Sequence, residues 1–474
     1  MTTTTGPPGH ERDGHPPEDP PPGDADDGPS GSEPQVRPGA NPEYGFPQGL
    51  WRMTDRLRPP FPPFSVRTFR SPLRGPWLTS VFGSVLLVGL PIVIITGLLS
   101  YSAYSPQFGQ AMPADVGALG LPYFDWPTRP VWLYRLNQGL HVGVGLVLIP
   151  VVLAKLWSVV PKLFTWPPAR SIAQLLERVS LLALVGGILF EIVTGVLNIQ
   201  YDYIFGFSFY TAHYWGAWVF IAGFVVHVAI KLPTMIRSLR ARSLRAELAT
   251  GLARTEPEPL DTHGLVAEHP DEPTLSRRGL LAMVGGGVLL VGAVSAGQTV
   301  GDAVRPTALL APRGRDYGDG PNDFQINRTA ATAGISPAVG DGWSLALSGG
   351  PGSVTLTRPQ LLGMPQHTAT LPIACVEGWS TTQTWTGVRL RDLAARAGVP
   401  SPRTAFVQSA EQAGAFNHAT LQSNQVLDPD ALLALRVNGA DLSLEHGFPA
   451  RVIVPALPGV HNTKWVTSIS FRSA

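Results

Sequence analysis

Residues 370–393, TLPIACVEGWSTTQTWTGVRLRDL, contain Cys375, the only cysteine in a chain of 474 residues. The cysteine ends an apolar, strand-like run and is followed by a segment of helical character. A single cysteine excludes an intrachain disulfide and an iron–sulfur cluster held by four thiolates of the chain. Judged by chemistry alone, Cys375 has three open roles: a metal ligand, a catalytic nucleophile or a buried bystander.

Around this stretch, residues 301–474 have the pattern of a separate mixed α+β domain that is rich in strand. Alternating runs predict strands at residues 353–357 and 451–454, and Gly and Pro turns separate such runs. Helical character is predicted at residues 389–397 and 430–435. A segment of about 170 residues is long enough for one domain with its own core.

Four long apolar runs precede this domain, and each approaches the ~20 residues that a helix needs to cross a membrane. Basic residues concentrate before the first run, between the second and third runs, and after the fourth run. The positive-inside rule therefore places the N-terminus in the cytoplasm. We predict a multi-pass protein of the plasma membrane, in contact with lipid, with transmembrane helices over residues 78–100, 139–160, 172–199 and 212–232.

A fifth apolar run, residues 280–300, follows the motif SRRGLL at residues 276–281. One interpretation is a fifth transmembrane helix with two basic flanking residues. The other is an internal segment that resembles a twin-arginine export signal, with residues 294–296, VSA, as a conceivable cleavage site. Both interpretations place the C-terminal domain outside the cytoplasm.

The composition of the remaining segments completes the domain organisation. The first 75 residues are rich in Pro, Gly, Asp, Glu and Ser and poor in apolar residues, so they cannot bury enough surface to fold, and their first thirty residues show no secretory signal. The predicted segments are a disordered cytoplasmic tail (1–75), a four-helix membrane domain (76–235), a cytoplasmic linker (236–275), the fifth segment (276–300) and an extracytoplasmic domain (301–474).

Three histidines lie within the predicted membrane helices, where ionisable side chains are costly and usually functional. His213 and His227 are 14 residues apart on one helix, which places them ~21 Å apart on nearly the same face. His141 lies near the outer end of the second helix, at the depth of His213. Two imidazoles at matching depth predict a bis-histidine haem b site, and interhelical hydrogen bonding is the alternative role.

The four-helix segment resembles the cytochrome b subunits of membrane formate dehydrogenases and nickel–iron hydrogenases, whose fourth helix also carries two histidines at this spacing. The resemblance implies two stacked haems in that family. In this chain the first and third helices contain no histidine, so His227 has no evident partner. We predict one outer haem held by His141 and His213, and a second, inner haem at His227 stays open.

The C-terminal segment resembles the molybdenum domain of the sulfite oxidase family over residues 323–471. The motifs that carry this resemblance are CVEGWS (375–380), WTGVRLRDL (385–393), HGFPAR (446–451) and KWV (464–466). In that family, the cysteine that matches Cys375 gives molybdenum its one protein thiolate, and a molybdopterin dithiolene supplies the other sulfurs. The segment is shorter than a full sulfite oxidase, and Ala456 stands where the family pattern has a glycine.

The same resemblance implies further cofactor contacts. Arg451 and Lys464 become candidates for anion contacts to the pterin phosphate, and His446 for a pterin contact. Asn327 and Arg328 resemble the entry strand of that domain and are also predicted to face the pterin. Surface cations are the alternative role of Arg451 and Lys464.

Together these features predict a multi-domain protein: a transmembrane four-helix cytochrome b bundle, a fifth transmembrane helix and an α+β sulfite-oxidase-like molybdopterin domain. We expect an oxidoreductase that transfers an oxygen atom to or from sulfite, another oxyanion, or an S- or N-oxide, with a quinone or quinol as electron partner. A net charge of +1 argues against a nucleic-acid partner. The alternatives are an inactive binding or assembly module, or a cytochrome that serves a separate partner.

Overall fold

A computed structural model of the chain describes residues 57, 68–104, 124–166, 169, 171–200, 204–261, 264–311, 320–326, 328–412 and 417–473. The chain divides into Met1–Ala40, which lies outside the described residues, and Asn41–Ala474, which contains every element given below. Most of the tail predicted to be disordered therefore also lies outside the described residues.

Five helices are long and apolar enough to cross a membrane. They correspond to the five apolar runs of the sequence and extend each run by a few residues, except that the third ends one residue earlier. In chain order, with the short helix α5 that follows the fourth, they are α1 (Pro76–Tyr104), α2 (Leu133–Leu163), α3 (Ile172–Asn198), α4 (Phe209–Ala241), α5 (Leu244–Ala249) and α6 (Arg277–Val300).

The long helices pack on one another through apolar side chains. Helix α1 contacts α2 and α4, α3 contacts α4, and α6 contacts α2. Phe82, Leu148 and Phe220 lie in the shared core of these helices. Close approach of α3 and α4 depends on Gly187, because a Cβ there would lie 2.9 Å from the Cβ of Phe220.

In its described residues, the C-terminal domain contains two five-stranded sheets, three short α-helices and several 3-10 turns, as its α+β pattern predicts. The strands are β1 (Ser344–Ser348), β2 (Val354–Thr357), β3 (His367–Ala374), β4 (Ser380–Arg389), β5 (Thr404–Ser409), β6 (His418–Gln422), β7 (Leu432–Val437), β8 (Ala440–Asp441), β9 (Arg451–Ile453) and β10 (Val466–Arg472). The helices are α7 (Arg358–Leu362), α8 (Leu390–Arg396) and α9 (Ser423–Leu427).

One sheet has the order β2-β1-β10-β5-β6, and in the other β3-β4-β7-β8 is joined by β9 on β7. The strands predicted at 353–357 and 451–454 are confirmed as β2 and β9, and the helix predicted at 389–397 is confirmed as α8. The helical character predicted at 430–435 is wrong, because this run is β7. Its residues pair with β4 and β9, and a short apolar run of this kind does not distinguish strand from helix by periodicity.

The C-terminal domain packs directly on one end of the long helices, which we call the proximal end. Tyr104 at the end of α1 and Tyr134 at the start of α2 belong to the same hydrophobic cluster as the core of the β-domain. Trp126, between these helices, donates from Nε1 to the Ala456 carbonyl at 2.8 Å. Helices and domain therefore share one continuous core at this end.

Candidate functional site

Cys375 lies in the turn that joins β3 to β4. Its side chain is only 2% exposed, and its backbone N–H donates to the Trp379 carbonyl at 2.9 Å. The carbonyl of Cys375 accepts from the N–H of Gly378 at 3.0 Å, so both ends of the turn are fixed. Gly378 has a φ of +89°, a backbone conformation that glycine adopts without steric cost. The predicted position of the cysteine, at the end of an apolar strand, is confirmed.

A small cavity of about 230 Å³ brings together three of the predicted site residues, which come from separate parts of the sequence. His446, Arg451 and Lys464 all line it. Trp379 and Thr381, which flank the Cys375 turn, line the same cavity together with Phe324, Ile326 and Ile373. The cavity therefore lies beside the turn that holds the cysteine.

Burial lowers the pKa values of these three basic side chains. Burial lowers the pKa of Arg451 to about 9. The nearby Cys375 thiol, when ionised, has the opposite and smaller effect on this pKa. Burial also lowers the pKa of Lys464 well below its usual range, helped by the positive charge of Arg451. Burial and Arg451 lower the pKa of His446 to about 3, so this imidazole is neutral at pH 7. Arg451, which interacts with the Cys375 thiol, therefore shares the cavity with a lysine whose charged form burial disfavours, and an anionic ligand would favour the charged forms of both.

Hydrogen bonds hold each of these side chains in place. Arg451 donates from Nε to the Asn462 carbonyl at 3.1 Å, and Lys464 donates to the carbonyl oxygens of Arg328 and Glu445 at 2.5 and 3.0 Å. His446 stacks on Phe324 with ring centres 3.5 Å apart and donates from Nε2 to the Asn322 carbonyl at 2.8 Å. The cations therefore have donor hydrogens left for another acceptor.

The remaining two predicted contacts differ from this group. Arg328 does not line the cavity: its guanidinium pairs with Glu411 at 2.9 Å, and only its carbonyl reaches Lys464. That its side chain faces the pterin stays a prediction, and Glu411 is the partner of the guanidinium in this structure. Asn327 lies outside the described residues.

Sequence reasoning missed the segment just before Lys464. His461, Asn462 and Thr463 are buried, and among the described residues four of their side-chain atoms have no hydrogen-bond partner of normal geometry: both ring nitrogens of His461, Nδ2 of Asn462 and Oγ1 of Thr463. The Tyr104 carbonyl lies close enough to raise the pKa of His461, but burial is the stronger effect and lowers it to about 4. Buried polar atoms normally have partners, so such a run indicates a place for a polar ligand. The cavity lined by Arg451, Lys464 and His446 separately fits an anionic, polar cofactor.

A second cavity lies between the long helices near the proximal end, and it encloses about 1470 Å³ of space, part of which is open to the surroundings. His141 on α2 and His213 on α4 both line it, as predicted from their matching depths. Their ring centres are 6.3 Å apart, with the ring planes at 81°. Metal–imidazole bonds of about 2.0–2.1 Å on opposite sides of one metal would separate ring centres by roughly this distance.

The Nδ1 atoms of both rings are already hydrogen-bonded. His141 donates from Nδ1 to the Val93 carbonyl at 3.0 Å. His213 Nδ1 lies 3.0 Å from Oγ1 of Thr194, whose own proton goes to the Phe190 carbonyl at 2.7 Å, so the imidazole is the donor. These are the interhelical bonds of the alternative role, and they leave a lone pair on Nε2 of each ring. Fixing the tautomer through Nδ1 is how proteins orient metal-binding histidines, so the pair fits an axial haem site.

Sequence reasoning also missed Glu191 in α3. Its Oε2 lies 3.0 Å from Nδ1 of His213, and its Oε1 is buried without a partner among the described residues. An acidic residue in an apolar run was the available signal, because charges within such helices are rarely accidental.

His227 lies apart from the other two histidines, in a third cavity toward the opposite ends of the helices. Lys155 and Lys231 line this cavity as well, and no second imidazole does among the described residues. Whether His227 binds a second haem therefore stays open.

Comparison with known proteins places the C-terminal domain in a class. Residues 333–474 match the family model described as the oxidoreductase molybdopterin binding domain. The mitochondrial sulfite oxidase of Drosophila melanogaster is 31% identical over 175 residues, which are 31% of this chain and 30% of that protein. The uncharacterized oxidoreductase YuiH of Bacillus subtilis is 33% identical over 136 residues, which are 27% of this chain and 65% of that protein.

Among solved structures, the sulfane dehydrogenase SoxCD from Paracoccus pantotrophus is 27% identical and covers 30% of this chain and 40% of that chain, with a TM-score of 0.27. A score this low carries no weight for the fold. The sequence matches support a molybdopterin-binding oxidoreductase domain of the sulfite oxidase type at the C-terminus, which makes the protein an oxidoreductase by class. The chain spans about 30% of the length of the animal sulfite oxidases that it matches.

Proposed function

We propose that this protein is a membrane-bound molybdoenzyme that transfers an oxygen atom outside the cytoplasm and exchanges electrons with the membrane quinone pool through haem b. One observation carries the proposal: Val376, the residue after Cys375, lines the same cavity as His141 and His213. Only the backbone between two adjacent residues therefore separates the candidate molybdenum ligand from the candidate haem cavity.

On the molybdenum side, the Cys375 thiolate would be the protein ligand. Arg451 and Lys464 would hold the anionic part of the molybdopterin, because both are basic side chains that line the cavity and have donors to spare. His446 would contact the pterin as a neutral ring, with its proton held on Nε2 by the Asn322 carbonyl. When bound, molybdenum–molybdopterin supplies two-electron oxygen-atom transfer.

On the membrane side, His141 and His213 would hold one haem b through Nε2. Their Nδ1 protons are fixed by Val93 and Thr194, which favours the ligating tautomer. When bound, haem b supplies one-electron transfer. A second haem at His227 would need a ligand other than imidazole from the described lining.

The topology proposed from the sequence accords with the position of the domain. The N-terminal tail (1–75) and the linker (236–275) would lie in the cytoplasm, and five helices would cross the lipid. The C-terminal domain packs on the ends of α1 and α2 that the basic residues assign to the outside. The proximal end of the helices is therefore the extracytoplasmic end.

The proposed substrate is an oxyanion such as sulfite, or an S- or N-oxide. The relatives named sulfite oxidase support an oxyanion. Sulfite oxidation and the reduction of an S- or N-oxide both remain within the proposal, since they use the same chemistry in opposite directions.

The test is metal and haem analysis of the purified full-length protein, followed by turnover of sulfite, sulfoxides and N-oxides with a dye or a quinol analogue. We expect one molybdenum and at least one haem b per chain, and turnover that Cys375→Ala abolishes. His141→Ala or His213→Ala should each remove the low-spin b-type absorbance of this site.

Other outcomes select the alternatives. A protein without molybdenum, unchanged by Cys375→Ala, would be a binding or assembly module on a membrane anchor. A protein that holds haem but no molybdenum would be a cytochrome that serves a separate partner. Full b-type absorbance in both histidine variants would refute the ligand assignment.

A further inference from the structure

The turn that carries Cys375 is held by side chains of the membrane helices. Three consecutive backbone carbonyls of the turn accept hydrogen bonds from α2 and α6. Gln138 on α2 donates to Val376 O at 2.7 Å, Gln298 on α6 donates to Glu377 O, and Thr299 on α6 donates to Gly378 O at 3.2 Å.

The Gln298 bond is buried, and the Gln138 and Thr299 bonds are partly buried. The side chains of Gln138 and Gln298 are 2% and 1% exposed. A buried amide or carbonyl without a partner is costly, so each glutamine and each carbonyl depends on the other. In the reverse direction, Ser380 donates from Oγ to the Thr299 carbonyl at 2.6 Å. Helix α6 and the turn are therefore joined in both directions.

Close packing reinforces the hydrogen bonds. A Cβ on Gly378 would lie 2.8 Å from the Val142 side chain of α2, and one on Gly301 would lie 2.8 Å from the Ser380 carbonyl. The turn thus contacts α2 and the end of α6 without space for an added methyl group.

The N-terminal end of α6 also contacts other parts of the chain. Arg277, the first arginine of the SRRGLL motif, is buried, with its guanidinium 3.5 Å from the Glu247 carboxylate of α5 and donating to the Pro72 carbonyl at 3.3 Å. An arginine that served only as a transport signal would not need such partners.

The conceivable cleavage site at residues 294–296 lies inside α6: Ala296 is exposed, but its backbone is helical and the Val294 carbonyl is paired with the following chain. The Val294 carbonyl accepts from the backbone N–H groups of Leu309 and Leu310 at 2.8 and 3.1 Å. A Cβ on Gly297 would lie 2.1 Å from the Val304 carbonyl. A protease that needs an extended, accessible segment cannot reach this one in the folded protein.

From these contacts we infer that α6 is retained in the mature protein and acts as a clamp. Together with Gln138, it holds the Cys375 turn beside the cavity that His141 and His213 line. Gln138, Gln298 and Thr299 are positioning residues. Retention of α6 stands independently of the proposed function, whereas the effect of the clamp on electron transfer rests on it.

Retention is tested by the intact mass of the protein purified from membranes with a C-terminal tag. The inference expects one chain that includes residues 276–300. A product that begins between residues 295 and 298 overturns the inference, whatever the molybdenum or haem content.

The clamp is tested with Gln298→Leu and, if that variant does not fold, Thr299→Val. The rate at which substrate changes the haem absorbance is compared with turnover on a soluble dye. We expect at least about a tenfold fall in the haem rate relative to the dye rate, since a buried carbonyl loses its donor. Gln425→Leu is the matched control, because Gln425 is equally buried but lies in α9, away from the turn.

The possible results distinguish a failure of the clamp from a failure of the proposed function. Equal losses of both rates, or the same ratio in Gln298→Leu and Gln425→Leu, overturn the clamp and leave the proposed function intact. A wild-type protein with no substrate-dependent haem change refutes the proposed function and with it the role of the clamp in electron transfer, while the mass still decides retention.

Discussion

Gly378→Ala should destabilise the junction between the C-terminal domain and α2. The new Cβ would lie within 2.8–2.9 Å of three atoms of Val142, and the residue would keep a φ of +89°. The left-handed backbone costs an alanine about 1–2 kcal/mol, and overpacking costs about 1–3 kcal/mol. We expect a loss of about 2–5 kcal/mol in the free energy of unfolding, or roughly 5–15 °C in Tm for a domain of this size.

The assay is thermal unfolding in detergent, followed with a thiol-reactive dye that reports exposure of Cys375, the only cysteine and a buried one. Gly439→Ala is the matched control, because Gly439 has a φ of +84° and nothing within 4 Å of its added Cβ. That variant should lose only the backbone part, about 1–2 kcal/mol.

A second substitution isolates the contact with α2. Val142→Ala removes two of the three close atoms, so it should recover part of the loss in Gly378→Ala and none of the loss in Gly439→Ala. Equal losses in the two glycine variants, or no recovery with Val142→Ala, would refute the packing of the Cys375 turn on α2.

Three further predictions concern the two candidate sites. Lys464→Met should lower the molybdenum content of the purified protein at least about tenfold, because a charge-assisted hydrogen bond to the cofactor is lost, whereas the exposed Arg396→Met should not; equal contents would contradict the anion contact. The free energy of unfolding of the C-terminal domain should be highest above about pH 6.5 and should fall as the pH is lowered toward 4. His461 is protonated below about pH 6.5 in the unfolded chain, whereas burial lowers its pKa in the folded protein to about 4. His461→Gln should flatten the Tm–pH curve measured from pH 7.5 to 4.5, and an unchanged slope would contradict this. Glu191→Gln should shift the haem midpoint potential in a spectroelectrochemical titration, because His213 loses a carboxyl partner at Nδ1, and an unchanged potential would contradict that role.

The sequence predicted the long helices well because membrane-length apolar runs leave little choice of structure. It also placed His141 and His213 together, since helix rise and topology fix their depth. The run at residues 430–435 was assigned wrongly, because pairing of β7 between β4 and β9 decides its structure and that pairing is not visible locally.

The motifs brought His446, Arg451 and Lys464 to one cavity, but they did not reveal the buried polar side chains just before Lys464 in the sequence. Asn462 and Thr463 stand out only when burial and hydrogen bonding are known. The contacts from Gln138 and Gln298 to the Cys375 turn join residues that are more than 75 positions apart in sequence. No local pattern marks them, because they depend on how the domain packs on the helices.

The central claim is that a molybdenum site at Cys375 communicates with a haem held by His141 and His213. The most direct measurement is the optical spectrum of the purified, molybdenum-containing protein when sulfite is added to the oxidised form or an S- or N-oxide to the dithionite-reduced form. We predict that one class of substrate changes the b-type absorbance in the wild type, and that none does in Cys375→Ala, although dithionite still reduces its haem. The same substrate-driven change in Cys375→Ala and wild type would contradict the account.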